Sequence, residues 1–139
     1  MSIAGVRPPP NREVTEKFTT HLASRTDVRL AILFGSAARD AMHAGSDIDL
    51  AVALTDGGPE KMLSLGTELS ALGGREVDLL DLTDLHGFIL REVLTQGVLL
   101  VRRDGSLYES LIRRMLYEES DWLPIKRAAM KEQLESFLS

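Results

Sequence analysis

The 139-residue chain has the length of one ordinary domain, and its 44% hydrophobic and 27% charged residues match a globular protein rather than a disordered or fibrous one. With 16 basic residues against 21 acidic ones the net charge is −5, the wrong sign for gripping a phosphate backbone, so direct nucleic-acid binding is not expected. There is no cysteine, which removes disulfides and thiolate metal sites, and no apolar run approaches the ~20 residues that span a bilayer.

Residues 1–10 read as an extended lead-in, because Pro8-Pro9-Pro10 cannot donate backbone hydrogen bonds and disfavours helix before it. Met1 to Arg7 lack the apolar stretch of a secretion signal, which points to the cytosol. Residues 11–139 read as a single domain with a helical C-terminal segment. Val14, Phe18 and Leu22 recur at four-residue spacing and predict a first helix that Asn11 can cap. Val28 to Phe34 is too short and too apolar for a surface helix and stops at Gly35, so it predicts a buried strand. Ser36 onward is loop or short helix. Asp47 to Leu54 predicts a second strand, ended by the turn formers Asp56-Gly57-Gly58-Pro59.

Met62, Leu65, Leu69 and Leu72 mark one face of a helix that Gly73-Gly74 terminates. Glu76 to Leu80 is the third strand. Thr83 can cap a helix with Phe88, Ile89 and Val93 on one side, and Gly97 ends it before a fourth strand, Val98 to Val101. Ser106 to Glu109 has the spacing of a capping box, opening a helix with Leu107, Leu111 and Met115 inward. Pro124 breaks or kinks that helix. A last helical stretch carries Met130, Leu134, Phe137 and Leu138 as an apolar stripe. The expected fold is α/β (α+β): a small mixed sheet of about four strands with helices mainly on one face.

The chemistry concentrates in three segments. Side chains two apart on a strand share a face, so Asp47 and Asp49 project together while Ile48 faces the core. Two neighbouring carboxylates repel unless a cation neutralises them, and oxygen-only ligands favour Mg²⁺ or Mn²⁺. Asp78, set among Val77, Leu79 and Leu80, is a third carboxylate that needs a partner, and pairing of strands two and three would turn it to the same cleft. Asp81 competes for that role but sits at the strand's exit, where a solvated turn residue is expected. Gly35 lets a ligand approach the backbone, Ser36 offers a hydroxyl and an N–H to a triphosphate, and Arg39 is a further phosphate contact.

Gly35-Ser36, the ten-residue spacer, Ser46-Asp47-Ile48-Asp49-Leu50 and Val77-Asp78-Leu79 resemble the polymerase beta-type nucleotidyltransferase family. Within it, the short chain and the stretch Leu90 to Leu100 resemble the minimal nucleotidyltransferase (MNT) branch. The resemblance implies metal binding by Asp47, Asp49 and Asp78, with Asp78 also helping to deprotonate the attacking hydroxyl. It implies phosphate binding at Gly35 and Ser36, with Ser46 in the same motif. Ala37 and Asp40 depart from the Arg and Gly that many relatives carry after Gly-Ser. MNT proteins are typically antitoxins of HEPN ribonuclease toxins, so the resemblance implies AMP transfer from ATP to a toxin tyrosine, and a hetero-oligomer with the toxin or a homodimer alone. Two alternatives stand beside it: a non-catalytic antitoxin that acts by occlusion, and a small-molecule nucleotidyltransferase.

Overall fold

The computed structural model describes residues 12–35 and 47–138, and within the last helix it leaves the side chains of residues 119–130, 133, 134, 137 and 138 undescribed. The elements in chain order are α1 (Arg12–Ser24), β1 (Val28–Phe34), β2 (Ile48–Leu54), α2 (Pro59–Gly73), β3 (Val77–Asp81), a 3₁₀ turn (Leu82–Asp84), α3 (Gly87–Gln96), β4 (Val98–Arg102) and α4 (Gly105–Leu138). The lead-in and the Asn11 cap lie outside the described residues.

The sheet runs β3-β2-β1-β4. β1 is antiparallel to both β2 and β4, and β2 is parallel to β3, so the sheet is mixed as expected. The helices do not gather mainly on one face. Phe18 and Leu22 of α1 and Leu65 and Leu69 of α2 pack with Leu33, Ile48, Leu50 and Val52 on one side. Leu90, Val93 and Leu94 of α3 and Tyr108, Leu111 and Met115 of α4 pack with Leu30, Ile32, Ala51 and Ala53 on the other. The composition of β1 and β2 explains this. Val-Arg-Leu-Ala-Ile-Leu-Phe and Ile-Asp-Leu-Ala-Val-Ala-Leu are apolar on both faces, and a strand of that kind needs a cover above and below.

α2 begins with Pro59 at its first turn, and Gly74 closes it in the left-handed conformation at φ +66° with its N–H on the Ser70 carbonyl. Leu72 is not part of the inner face; it is 39% exposed. Thr83 does not cap a long helix. Asp81 does the capping, accepting from Thr83 N at 3.0 Å and Thr83 Oγ1 at 2.7 Å, and the chain makes only a 3₁₀ turn before α3 starts at Gly87. Phe88 is therefore on the first turn of α3 and 79% exposed, with Leu90 taking the inward place. For α4 the first-turn donor Leu107 N is held by Asp104 Oδ1 at 2.9 Å, two residues ahead of the Ser106 capping-box reading. The helix assignment runs on through Pro124, so the two expected C-terminal helices are one element of 34 residues. One proline removes a single internal donor, which a long helix can tolerate.

At the far end of β1, Arg25 grips Asp27 with two hydrogen bonds, Nε to Oδ1 at 3.1 Å and Nη2 to Oδ2 at 2.9 Å, and reaches Glu68 of α2 at 2.7 Å. The hydrogen bonds from Arg25 hold the Asp27 carboxyl below its ordinary value. A depressed native pKa contributes stability above the ordinary carboxylate range, and that contribution is lost as pH falls through the depressed value. Thermal melts should therefore show the wild type about 3–6 °C above Asp27→Asn at neutral pH, the gap closing in acid. An equal gap at both extremes would remove the ion pair as its cause.

Candidate active site

The carboxylates are brought together by strand pairing. In the parallel β2/β3 ladder Ile48 lies opposite Val77 and Asp49 opposite Asp78. Ile48 and Val77 are in the core under α1 and α2, so by alternation Asp49 and Asp78 both turn to the opposite face. In-register neighbours on adjacent strands have backbones about 4.8 Å apart. Asp49 is half-buried and Asp78 exposed. Asp47, exposed and one residue ahead of β2, shares the Asp49 side of the pleat; the strand opens with Ile48 N donating to Glu76 O at 3.0 Å. Asp81 is excluded from the group, since its carboxylate is committed to Thr83.

Gly35 completes this edge. It follows Phe34, which pairs with Asp49 across the β1/β2 ladder, and has φ +72°. A Cβ built on Gly35 would overlap an Asp49 carboxylate oxygen and stand 3.2 Å from its Cγ and 3.3 Å from its Cβ. The glycine thus makes room for the Asp49 carboxylate as well as allowing the turn, a role the motif alone does not reveal. The readable signal is a glycine directly after an apolar strand that must pair with the Asp-x-Asp strand. Ser36, Arg39 and Ser46, with Ala37 and Asp40, lie outside the described residues.

Like charges at ~5 Å repel by roughly 1–3 kcal/mol depending on solvent access. An oxygen-binding divalent cation would relieve that cost, and Asp49, Asp78 and Asp47 are donors of the right chemistry to hold one. The fit rests on the shared face and register, because among the described residues no three His, Asp or Glu side chains already close on one point.

A mixed four-stranded sheet that presents in-register carboxylates beside a glycine turn defines an acidic-edged α/β domain. Residues 16–106 match the polymerase beta nucleotidyltransferase domain, and the chain belongs to that family. The fold is shared with solved structures. A chain of a toxin–antitoxin complex with AMP-PNP is 24% identical at TM-score 0.63, covering 90% of this chain and 98% of that one. A chain of the toxin–antitoxin MntA-HepT is 21% identical at TM-score 0.63, covering 89% and 99%. A chain of the complex of tri-AMPylated Shewanella oneidensis HEPN toxin with MNT antitoxin is 21% identical at TM-score 0.61, covering 88% and 98%. No curated protein matches the sequence. Among the described residues, no helix is long and apolar enough to cross a membrane.

Proposed function

We propose that the chain is the antitoxin of a toxin–antitoxin pair and transfers AMP from ATP to a tyrosine hydroxyl of a HEPN-type toxin, releasing pyrophosphate. The family supports nucleotidyl transfer. The partner class is supported by the fold shared with chains of toxin–antitoxin complexes, one of them holding a tri-AMPylated HEPN toxin. The observation that carries the catalytic reading is the register of Asp49 with Asp78 beside Gly35.

In this reading Asp47, Asp49 and Asp78 hold Mg²⁺ or Mn²⁺. The bound cation supplies neutralisation of the triphosphate and polarisation of the α-phosphate. Gly35, Ser36, Arg39 and Ser46 contact the triphosphate. Asp78, the more exposed of the paired carboxylates, is open to an incoming hydroxyl and takes its proton. The acceptor oxygen bonds to the α-phosphorus, the bond to the bridging oxygen breaks, and pyrophosphate leaves. The chain and the toxin act as a cytosolic hetero-oligomer.

The test incubates the chain, the toxin, ATP labelled on the α-phosphate and Mg²⁺. Label and a mass gain of whole AMP units on a toxin tyrosine are expected. Tight association without any mass gain would replace catalysis by occlusion.

A further inference from the structure

We propose that the chain is itself an AMP acceptor, at Tyr117, modified by a second copy of the same protein. This rests on the tyrosine-directed transfer proposed above.

The chain has 2 tyrosines, and their surroundings are opposite. Tyr108 is 6% exposed in the core between the sheet and α4, with the Arg102 guanidinium 5.5 Å from its ring centre. No donor site can reach it while α4 stays packed on the sheet. Tyr117 is 69% exposed on the same helix.

Tyr117 also has a cation placed for the product. Residues four apart are neighbours on a helix surface, which puts the 80% exposed Arg113 one turn before the Tyr117 ring. A tyrosyl-AMP linkage adds a phosphodiester with one negative charge, and guanidinium is the side chain best shaped to receive it. The present partner of Arg113 is Glu109 at 4.0 Å, itself 64% exposed. A surface pair of that kind is worth little and yields readily to a phosphodiester. The exposed apolar side chains nearby, Leu116 on the same helix and Phe88 beside the Gly87 contact, offer surface for another molecule to cover.

The contacts of α4 favour a donor site on another molecule. Arg114 donates to the Thr83 and Leu85 carbonyls at 3.0 Å each, and Glu118 meets His86 Nδ1 at 2.6 Å and accepts from Gly87 N at 2.5 Å. These contacts on either side of Tyr117 pin this turn of α4 beyond the C-terminal end of β3. Asp49 and Asp78 stand at the opposite, N-terminal ends of β2 and β3. From Asp78 to Asp81 the strand covers about 10 Å, so the carboxylates and the loop that holds this turn of α4 lie at opposite ends of β3. In the transfer the Tyr117 Oη bonds to the α-phosphorus of ATP, the bond to the α–β bridging oxygen breaks, pyrophosphate leaves, and the phenolic proton passes to a carboxylate of the modifying copy.

The experiment uses the full chain with ATP labelled on the α-phosphate and Mg²⁺, with and without the toxin. Label should appear on the chain alone, with a rate per molecule that doubles when the protein concentration doubles. Tyr117→Phe should lower that label more than tenfold and leave labelling of the toxin unchanged, whereas Tyr108→Phe should retain it. A chain that stays unlabelled while the toxin is labelled overturns the inference and leaves the transfer reading standing. Label that persists in Tyr117→Phe, or a rate per molecule independent of concentration, overturns it too. If neither protein is labelled, the transfer reading fails and the inference falls with it.

Discussion

An Asp49→Asn chain should melt within about 2 °C of the wild type and lose AMP transfer to the toxin by on the order of 10³-fold. The amide keeps the shape of the side chain that fills the space beside Gly35, where its Cγ is 3.2 Å from the point a Cβ would occupy on the glycine. It also removes the like charge facing Asp78 in the ladder, a repulsion that opposes pairing of the two strands. What it removes, on the proposed function, is one anionic oxygen from the set that would hold a divalent cation against a triphosphate. Charge stabilisation by such a cation is worth several kcal/mol in the transition state, and each 1.36 kcal/mol is about tenfold in rate. Initial rates of AMP incorporation alongside thermal melts check both halves. A variant that keeps more than about a tenth of the rate would remove Asp49 from the proposed role.

The second large effect comes from paired glycines. Gly35 and Gly74 have nearly the same left-handed backbone, φ +72° and φ +66°, but a Cβ at Gly35 runs into the Asp49 carboxylate while a Cβ at Gly74 meets nothing within 4 Å. Alanine at either place costs about 1–2 kcal/mol for the backbone conformation. Gly35→Ala must in addition displace Asp49. Both variants should lose melting temperature, by roughly 4–10 °C, and only Gly35→Ala should lose AMP transfer, by on the order of 10²-fold or more. Equal activity in the two variants would show that the close approach of Gly35 to Asp49 has no bearing on the reaction.

Much of this arrangement could be read from residue order, because it rests on short-range rules. The alternation Asp47, Ile48, Asp49, Leu50 sets which side chains leave the core, and Val77 and Leu79 do the same for Asp78. Pairing of β2 with β3 was the condition for bringing Asp49 and Asp78 together, and the ladder meets it residue for residue. The extents of β1 and α2 followed from Gly35 and Gly73-Gly74, glycines that end elements locally. What could not be read depends on distant parts of the chain. Whether the second face of β1 is covered depends on α3 and α4, which join the sheet from more than fifty residues away. Thr83 looks like a helix cap in isolation, but Asp81 takes its N–H and hydroxyl and delays α3 by one turn, which turns Phe88 outward. The contact between Gly35 and Asp49 joins residues fourteen apart through antiparallel pairing that the motif does not specify.

The N-terminus of α3 has a further consequence. His86 gives it no side-chain cap, and the Gly87 N–H is held instead by Glu118, 31 residues later. A ribosome delivers residues in order, so α3 emerges with its first turn unsecured and waits for the middle of α4. Until then the layer that Tyr108, Leu111 and Met115 complete stays wet, and nascent chains pass through an interval in which that side of the sheet is open to misassociation. Closure of this side is thus a late event in biosynthesis, since the buried residues of α4 leave the ribosome after every strand of the sheet.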